Sequence, residues 1–285
     1  MSAEYEILDS GDGRKLERIG PHLLDRQAPQ AFWTKRLPET AWREADAVHH
    51  RSEKGGGHWE FRKEIPATWT ISLEGLTVQM KPTPFGHVGL FAEQTAQWRW
   101  MRERIAARVA TGATPRVLNL FAYTGLASLT AAAAGADVCH VDASKSVVDW
   151  ARENAKLSGL EDRPVRWIVD DCLAFAGRDV RRGRKYDAIV LDPPTYGRGT
   201  RKEAWRIETD LPRLLRSCAQ LLTADPLFIV LSCHTPGWTP IALENVLGDA
   251  VDLSGFELDG GEMSIPQKDQ RILPSGYVLR AVGRG

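Results

Sequence analysis

From residue 116 onward, short apolar runs recur along the chain with longer amphipathic stretches between them. "RVLNLFA" (116–122), "DVCHVDA" (137–143), "VRWIVDD" (165–171), "YDAIVLDPP" (186–194) and "PLFIVLSCH" (226–234) are each brief and nearly continuously apolar. The intervening segments, notably "SKSVVDWARENAKLSGL" and "ETDLPRLLRSCAQLL", carry helical spacing. A strand buried on both faces has no polar alternation, so this order predicts a parallel sheet covered by helices on either side. The pattern changes at the end, where "GFELDGGEMSI" and "GYVLRAVGR" read as two strands with no helix between them. The expected fold is α/β: a Rossmann-like, doubly wound, mostly parallel seven-stranded sheet finished by a C-terminal antiparallel hairpin.

The first part of the chain has a different texture. Turn residues and Trp33, Trp42, Trp59 and Trp69 are interleaved with short alternating runs, and "WTISLEGLTVQM" reads as a hairpin around Glu74-Gly75. Gly55-Gly56-Gly57 marks a loop. This predicts a small β-rich domain over residues 1–82, a candidate for substrate binding, ahead of a larger domain over 83–285. The larger domain opens with a linking segment and a helix within 83–112. The tryptophans are read chiefly as packing residues, with base stacking as the alternative. His49, His50 and His58 have no ligand spacing and are read as loop residues.

Composition narrows the classes. With 43% hydrophobic and 26% charged residues the chain reads as an ordinary globular protein. No apolar run approaches the roughly 18 residues of a membrane span, and "MSAEYEILDSGDGRK" has no signal-peptide core, so a cytoplasmic protein without membrane partners is expected. Cys139, Cys172, Cys218 and Cys233 are widely spaced, which suggests neither a disulfide framework nor a metal site. Lys and Arg together number 37, as do Asp and Glu. Any surface for nucleic acid must therefore be local.

In a doubly wound sheet, ligands sit beyond the carboxyl ends of the strands. Polar residues collect there. Asn119 and the turn Ala122-Tyr123-Thr124-Gly125 close the first run, Asp142 the second, Asp170 and Asp171 the third, Asp192-Pro193-Pro194 the fourth, and Cys233-His234 the fifth. A carboxylate ending the second strand suits the hydroxyls of a ribose, and an acid ending the third can accept from an adenine amino group. Each also has a structural alternative as a helix cap, Asp142 for the helix near Ser144 and Asp170 or Asp171 for the helix after Cys172. The first turn lacks a three-glycine fingerprint, so it cradles pyrophosphate poorly and does not suit a nicotinamide dehydrogenase. Ribose and adenine without pyrophosphate point to S-adenosylmethionine.

Taken in order, "NLFAYTG", "HVDAS", "DD", "DPPTYG" and "LSCH" resemble class I S-adenosylmethionine-dependent methyltransferases, in particular bacterial 23S rRNA methyltransferases of the RlmI and RlmK type. "GHVGLFAEQ" (86–94) is similar to their pre-motif, and the likeness spans about residues 80 to 284. It implies Asn119, Phe121, Tyr123 and Gly125 around the methionine part, Asp142 with Ala143 at the ribose, and Asp171 near the adenine. It implies that Phe91 and Gln94 close the pocket and that Asp192 and Pro193 stand between cofactor and acceptor. Pro194, Tyr196 and Arg198 fall on the acceptor side, and an RNA base, most specifically in 23S rRNA, is the implied acceptor. The chain departs from the RlmI pattern in showing no recognisable PUA domain.

Two chemistries stay open. In (N/D)PP(Y/F) methyltransferases the acid and the first proline carbonyl accept hydrogen bonds from the target amine. Here Thr195 takes the aromatic slot and Tyr196 follows, available to stack on a base. Methylating cytosine at C5 instead needs a nucleophile at C6, for which the resemblance offers Cys233. Its alternative is a buried strand-end cysteine. His234 would point to the opposite face of a continuing strand. Arginine-rich stretches at 98–108, 178–185 and 198–202 are candidate phosphate contacts. A small-molecule or protein acceptor, or a catalytically silent RNA-binding protein, are the rival readings.

Overall fold

The computed structural model describes residues 4–52, 56–198 and 204–284. The chain forms two compact units, Met1–Glu93 with Ser264–Ser275, and Gln94–Met263 with Gly276–Gly285. The first unit runs to Glu93 and also contains a C-terminal segment.

In the first unit, β1 (Tyr5–Gly11), β2 (Arg14–Ile19), β3 (His22–Gln27), β4 (Ala47–Arg51) and β5 (Gly57–Phe61) form one sheet in that order. All neighbours are antiparallel except β3 and β4, whose parallel pairing is allowed by a crossover containing α1 (Glu39–Arg43). Trp42 on α1 fills a core with Leu16, Leu23 and Val48. β6 (Trp69–Leu73) and β7 (Leu76–Met80) form the expected hairpin. It turns on Glu74 and Gly75, both with positive φ, as a tight hairpin that matches strand twist requires. Glu17 is buried among Arg26, the Lys15 ammonium at 3.0 Å and the Tyr5 hydroxyl at 2.9 Å. Burial alone would raise its pKa, but Arg26 and Lys15 hold it at about 2.

The three histidines are not loop residues. His49 and His50 lie on β4 and His58 on β5. His49 is buried, its Nδ1 2.8 Å from Gln27 Oε1 and its Nε2 3.1 Å from the Pro84 carbonyl oxygen. A polar residue satisfied inside a sheet erases the apolar alternation that would mark its strand. Among the described residues no group of histidines, cysteines and acids could hold a metal ion. No helix among them is long and apolar enough to cross a membrane.

The second unit opens with α2 (Thr95–Ala110), followed by β8 (Arg116–Leu120), α3 (Leu126–Ala133), β9 (Asp137–Asp142), α4 (Lys145–Leu157), β10 (Val165–Val169), α5 (Cys172–Arg181) and β11 (Ala188–Leu191). The short strands β12 (Tyr196–Arg198) and β13 (Ala204–Arg206) pair with each other ahead of α6 (Ile207–Leu221), β14 (Phe228–Cys233) and α7 (Pro240–Gly248). β15 (Phe256–Pro266) and β16 (Ile272–Gly283) complete a seven-stranded sheet of order β10-β9-β8-β11-β14-β16-β15. The first five strands are parallel and β16 runs antiparallel to β14. Leu118, Leu120, Ile189, Leu191, Ile229 and Leu231 pack in one core with residues of α6 and α7. The chain leaves β8 toward β9 and β10 on one side and returns to β11 on the other, so the switch point lies between β8 and β11.

Candidate active site

At the carboxyl end of β8 the backbone is left-handed at Phe121 (φ 56°), Tyr123 (φ 48°) and Gly125 (φ 87°). For residues with a Cβ this costs about 1–2 kcal/mol each and persists only where neighbours over-determine it. Here they do. The Ala122 amide donates to the Val141 carbonyl at 3.1 Å, that of Tyr123 to Asp142 Oδ2 at 3.0 Å, and that of Phe121 to Cys172 Sγ at 3.3 Å. Asn154, buried on α4, donates to the Thr124 carbonyl at 2.9 Å. A Cβ at Gly125 would lie 2.9 Å from the Ala151 Cβ, so only glycine lets α4 approach this closely.

Asp142 uses both oxygens to shape the site, Oδ2 on Tyr123 and Oδ1 on the Ser144 amide at 2.9 Å. Burial raises its pKa against the opposing effect of these two bonds. Ala143 beside it is half-buried. Beyond β10 the two acids divide their tasks. Asp170 pairs with Arg178, while Asp171 caps α5, its Oδ1 accepting from the Ala174 amide at 2.8 Å. Among the described residues Asp171 Oδ2 has no partner. Asn119 is only 3% exposed and stands behind the turn, its Nδ2 donating to Ser128 Oγ at 2.9 Å. The Ser128 hydroxyl in turn lies 3.0 Å from His140 Nδ1. Ser128 accepts from Asn119 and its hydroxyl oxygen keeps a second lone pair, so it donates to Nδ1 or accepts from it according to the His140 tautomer. Burial, with a smaller effect of Arg152, lowers the His140 pKa to about 3 and keeps the ring neutral.

Asp192 follows β11, and three side chains converge on it. Gln94, at the start of α2, donates from Nε2 to Oδ2 at 3.0 Å and to Ser232 Oγ at 2.9 Å. Ser232 donates to Oδ1 at 2.8 Å, and His234 Nε2 lies 3.4 Å from the same oxygen. Burial favours the neutral acid, but the charge and hydrogen bond of His234 and the donors on Ser232 and Gln94 outweigh it and hold the pKa below the usual carboxylate value. The Asp192 side chain remains 26% exposed. His234 reaches it because β14 ends at Cys233, so strand alternation no longer sets its direction.

Trp205 on β13 is not legible in the sequence as a site residue. Its Nε1 donates to the Pro194 carbonyl at 2.7 Å, and its ring meets that of Phe121 edge-on at 4.8 Å. Thr195 and Thr235 hydroxyls lie 2.7 Å apart, tying the same loop to the segment after β14. Pro193 is buried and Pro194 exposed, while Tyr196 on β12 is 68% exposed. The side chain of Arg198, and Arg201 and Lys202, lie outside the described residues. Cys233 is fully buried, and burial pushes its thiol pKa up. Phe91 lies in the first unit, its ring 5.2 Å from that of His87.

Comparison with known proteins bears on this arrangement. Residues 40–253 match the family model of S-adenosylmethionine-dependent methyltransferases. A methyltransferase of that kind from Agrobacterium tumefaciens has a crystal structure similar to this chain, with 36% identity, a TM-score of 0.92, and 99% of this chain and 91% of that one covered. A methyltransferase from Streptococcus mutans shares the fold at 17% identity and a TM-score of 0.75, covering 98% and 75% of the two chains. Ribosomal RNA large subunit methyltransferase K/L of Pseudoalteromonas atlantica is 31% identical over 79% of this chain. Its counterpart from Shewanella loihica is 40% identical over 56%. The chain spans only 29% and 20% of the length of these two relatives.

Proposed function

This chain belongs to the S-adenosylmethionine-dependent methyltransferases, and on that footing we propose that it methylates a nitrogen of a base in RNA, with ribosomal RNA of the large subunit, in the cytoplasm, as the acceptor. The observation that carries the acceptor chemistry is Asp192, a carboxylate kept ionised by its three neighbours yet 26% exposed where β11 ends.

The residues fit the cofactor. Gly125 lets α4 pack closely against the turn Phe121–Gly125 and so holds the turn in the shape it offers to an amino-acid group. Each Asp142 oxygen keeps a second lone pair for a ribose hydroxyl, and Asp171 Oδ2 is available to an adenine amino group. Gln94, Asn119 and Ala143 shape or brace the same pocket. When bound, S-adenosylmethionine supplies a methyl group activated on a sulfonium.

The protein's own task is then to hold the acceptor nitrogen in line and exclude water. Asp192 and the Pro193 carbonyl accept its N–H bonds, which directs the lone pair at the methyl group. The proton released on methylation passes to the Asp192 carboxylate that accepts the N–H bond, which is exposed enough to hand it on to solvent. A cysteine nucleophile is the weaker reading, because a buried thiol with a raised pKa holds little thiolate. The large-subunit ribosomal RNA relatives support the RNA acceptor. So do exposed rings in the first unit, where Phe61 on the edge strand β5 is 54% exposed and Phe85 70%. Unstacked bases cover such rings, and we assign acceptor recognition to this unit.

The test is to incubate the protein with tritium-labelled S-adenosylmethionine and a cell extract, then separate RNA, protein and small molecules. Label is expected in RNA. Label confined to protein or to small molecules overturns the acceptor.

A further inference from the structure

At the opposite end of the parallel sheet, a cavity of about 330 Å³ opens where β8, β9 and β10 begin and just before β11. Arg116, Arg163, Arg166, Arg184 and Lys185 line it, against the single carboxylate of Asp137. In a chain whose charges cancel overall, that is a segregated cationic surface. Arg116 is partly engaged by Asp187 at 3.9 Å, and Lys185 donates to the Gln220 carbonyl at 2.8 Å. Arg163, Arg166 and Arg184 have no ion-pair partner among the described residues. The floor is already satisfied, since the Tyr186 hydroxyl donates to Asp179 Oδ2 at 2.6 Å. What the pocket offers a ligand is therefore guanidinium groups around a concave space. Guanidinium forks match phosphate oxygens bidentately, and the volume suits one nucleotide-sized group.

We propose that this pocket binds phosphate groups of the RNA backbone, as a second anchor remote from methyl transfer. The source of the phosphate rests on the RNA acceptor proposed above; the anion site itself does not. Strands of five or six residues rise about 3.3 Å per residue, so the pocket lies roughly 15–20 Å from the catalytic ends. An anchor at that distance adds affinity and register without touching the reacting atoms.

The test replaces Arg163, Arg166 and Arg184 with glutamine in the full chain. A control variant replaces Lys145, Lys156 and Arg213, exposed cations on α4 and α6, in the same way. RNA binding is followed by fluorescence anisotropy across salt concentrations, and turnover in steady state and in a single turnover. The pocket variant is expected to lower the salt slope by about two, at roughly 0.7 to 0.9 for each phosphate the protein no longer neutralises. KM should rise at least tenfold, with an unchanged saturating single-turnover rate, thermal midpoint and S-adenosylmethionine affinity. A pocket variant indistinguishable from the control overturns the proposal. If the unaltered protein binds no RNA, the acceptor reading fails instead, and titration with adenosine 5′-monophosphate decides the pocket. Saturable binding that the pocket variant abolishes keeps the phosphate site and moves its source to a free nucleotide. No binding overturns it.

Discussion

The Nε1–H of Trp205 donates to the carbonyl oxygen of Pro194 at 2.7 Å, from a strand that returns to the Asp-Pro-Pro loop only after an excursion through β12. One hydrogen bond and one edge-on contact with Phe121 thus link the acceptor loop to the turn after β8. Trp205→Phe keeps an aromatic ring and deletes the donor, which costs about 1 kcal/mol. Turnover is expected to fall about five- to tenfold with S-adenosylmethionine affinity unchanged. Equal turnover in the two proteins would mean that the loop is held by other means.

Gly125→Ala forces a Cβ to 2.9 Å from that of Ala151 at a φ of 87°. The variant is expected to lose about 1–3 kcal/mol of stability and at least tenfold in S-adenosylmethionine affinity, read by denaturant melts and calorimetry. Adding Ala151→Gly removes the clash but not the unfavourable φ, so it should recover only part of the loss. Full recovery would show that the left-handed backbone contributes nothing.

Asp142 carries a pKa raised mainly by burial. If its ionised form accepts from the ribose, S-adenosylmethionine affinity declines as pH falls through that raised value, before ordinary carboxylates titrate. The decline approaches tenfold per pH unit below it, about 1.4 kcal/mol. Calorimetry from pH 7.5 down to about 4, where an ordinary aspartate titrates, should record this decline, and Asp142→Asn should bind weakly with a flat profile. A flat profile in the unaltered protein removes Asp142 from the ribose.

His140 makes a separate contribution to stability. Its pKa is about 3 in the folded chain and about 6.5 when unfolded. The unfolded state therefore takes up the proton first. The stability from a neutral, buried ring is complete above about pH 6.5 and is lost as pH falls toward 3, by up to about 1.4 kcal/mol per pH unit. His140→Gln does not titrate, so its stability in urea melts should decline less than that of the unaltered protein between pH 7 and 5. Parallel declines would show that His140 charges without cost.

Much of this architecture is legible in the sequence because burial on both faces writes itself as unbroken apolar runs. β8, β9, β11 and β14 are of that kind, and the polar residues closing them fall at the carboxyl ends where a doubly wound sheet gathers ligands. Pairings across long stretches of sequence are not legible. The bond from Gln94 to Asp192 and the approach of His234 to the same carboxylate depend on where α2 begins and β14 stops, which no local pattern specifies. β12 and β13 are three residues each, too short to show a period, and they hide Trp205. His49 illustrates the converse, a buried polar residue whose hydrogen bonds to Gln27 and Pro84 disguise its strand as a loop.

The central claim is that Asp192, and not Cys233, serves the acceptor, and the identity of the methylated nucleoside tests it most directly. Ribosomal RNA from cells lacking the gene would be labelled in vitro by the unaltered protein and by Cys233→Ala, then digested to nucleosides and resolved by mass spectrometry. The expected result is a nucleoside methylated on nitrogen, formed by both proteins at similar rates. Label recovered as 5-methylcytidine and abolished in Cys233→Ala would contradict the account.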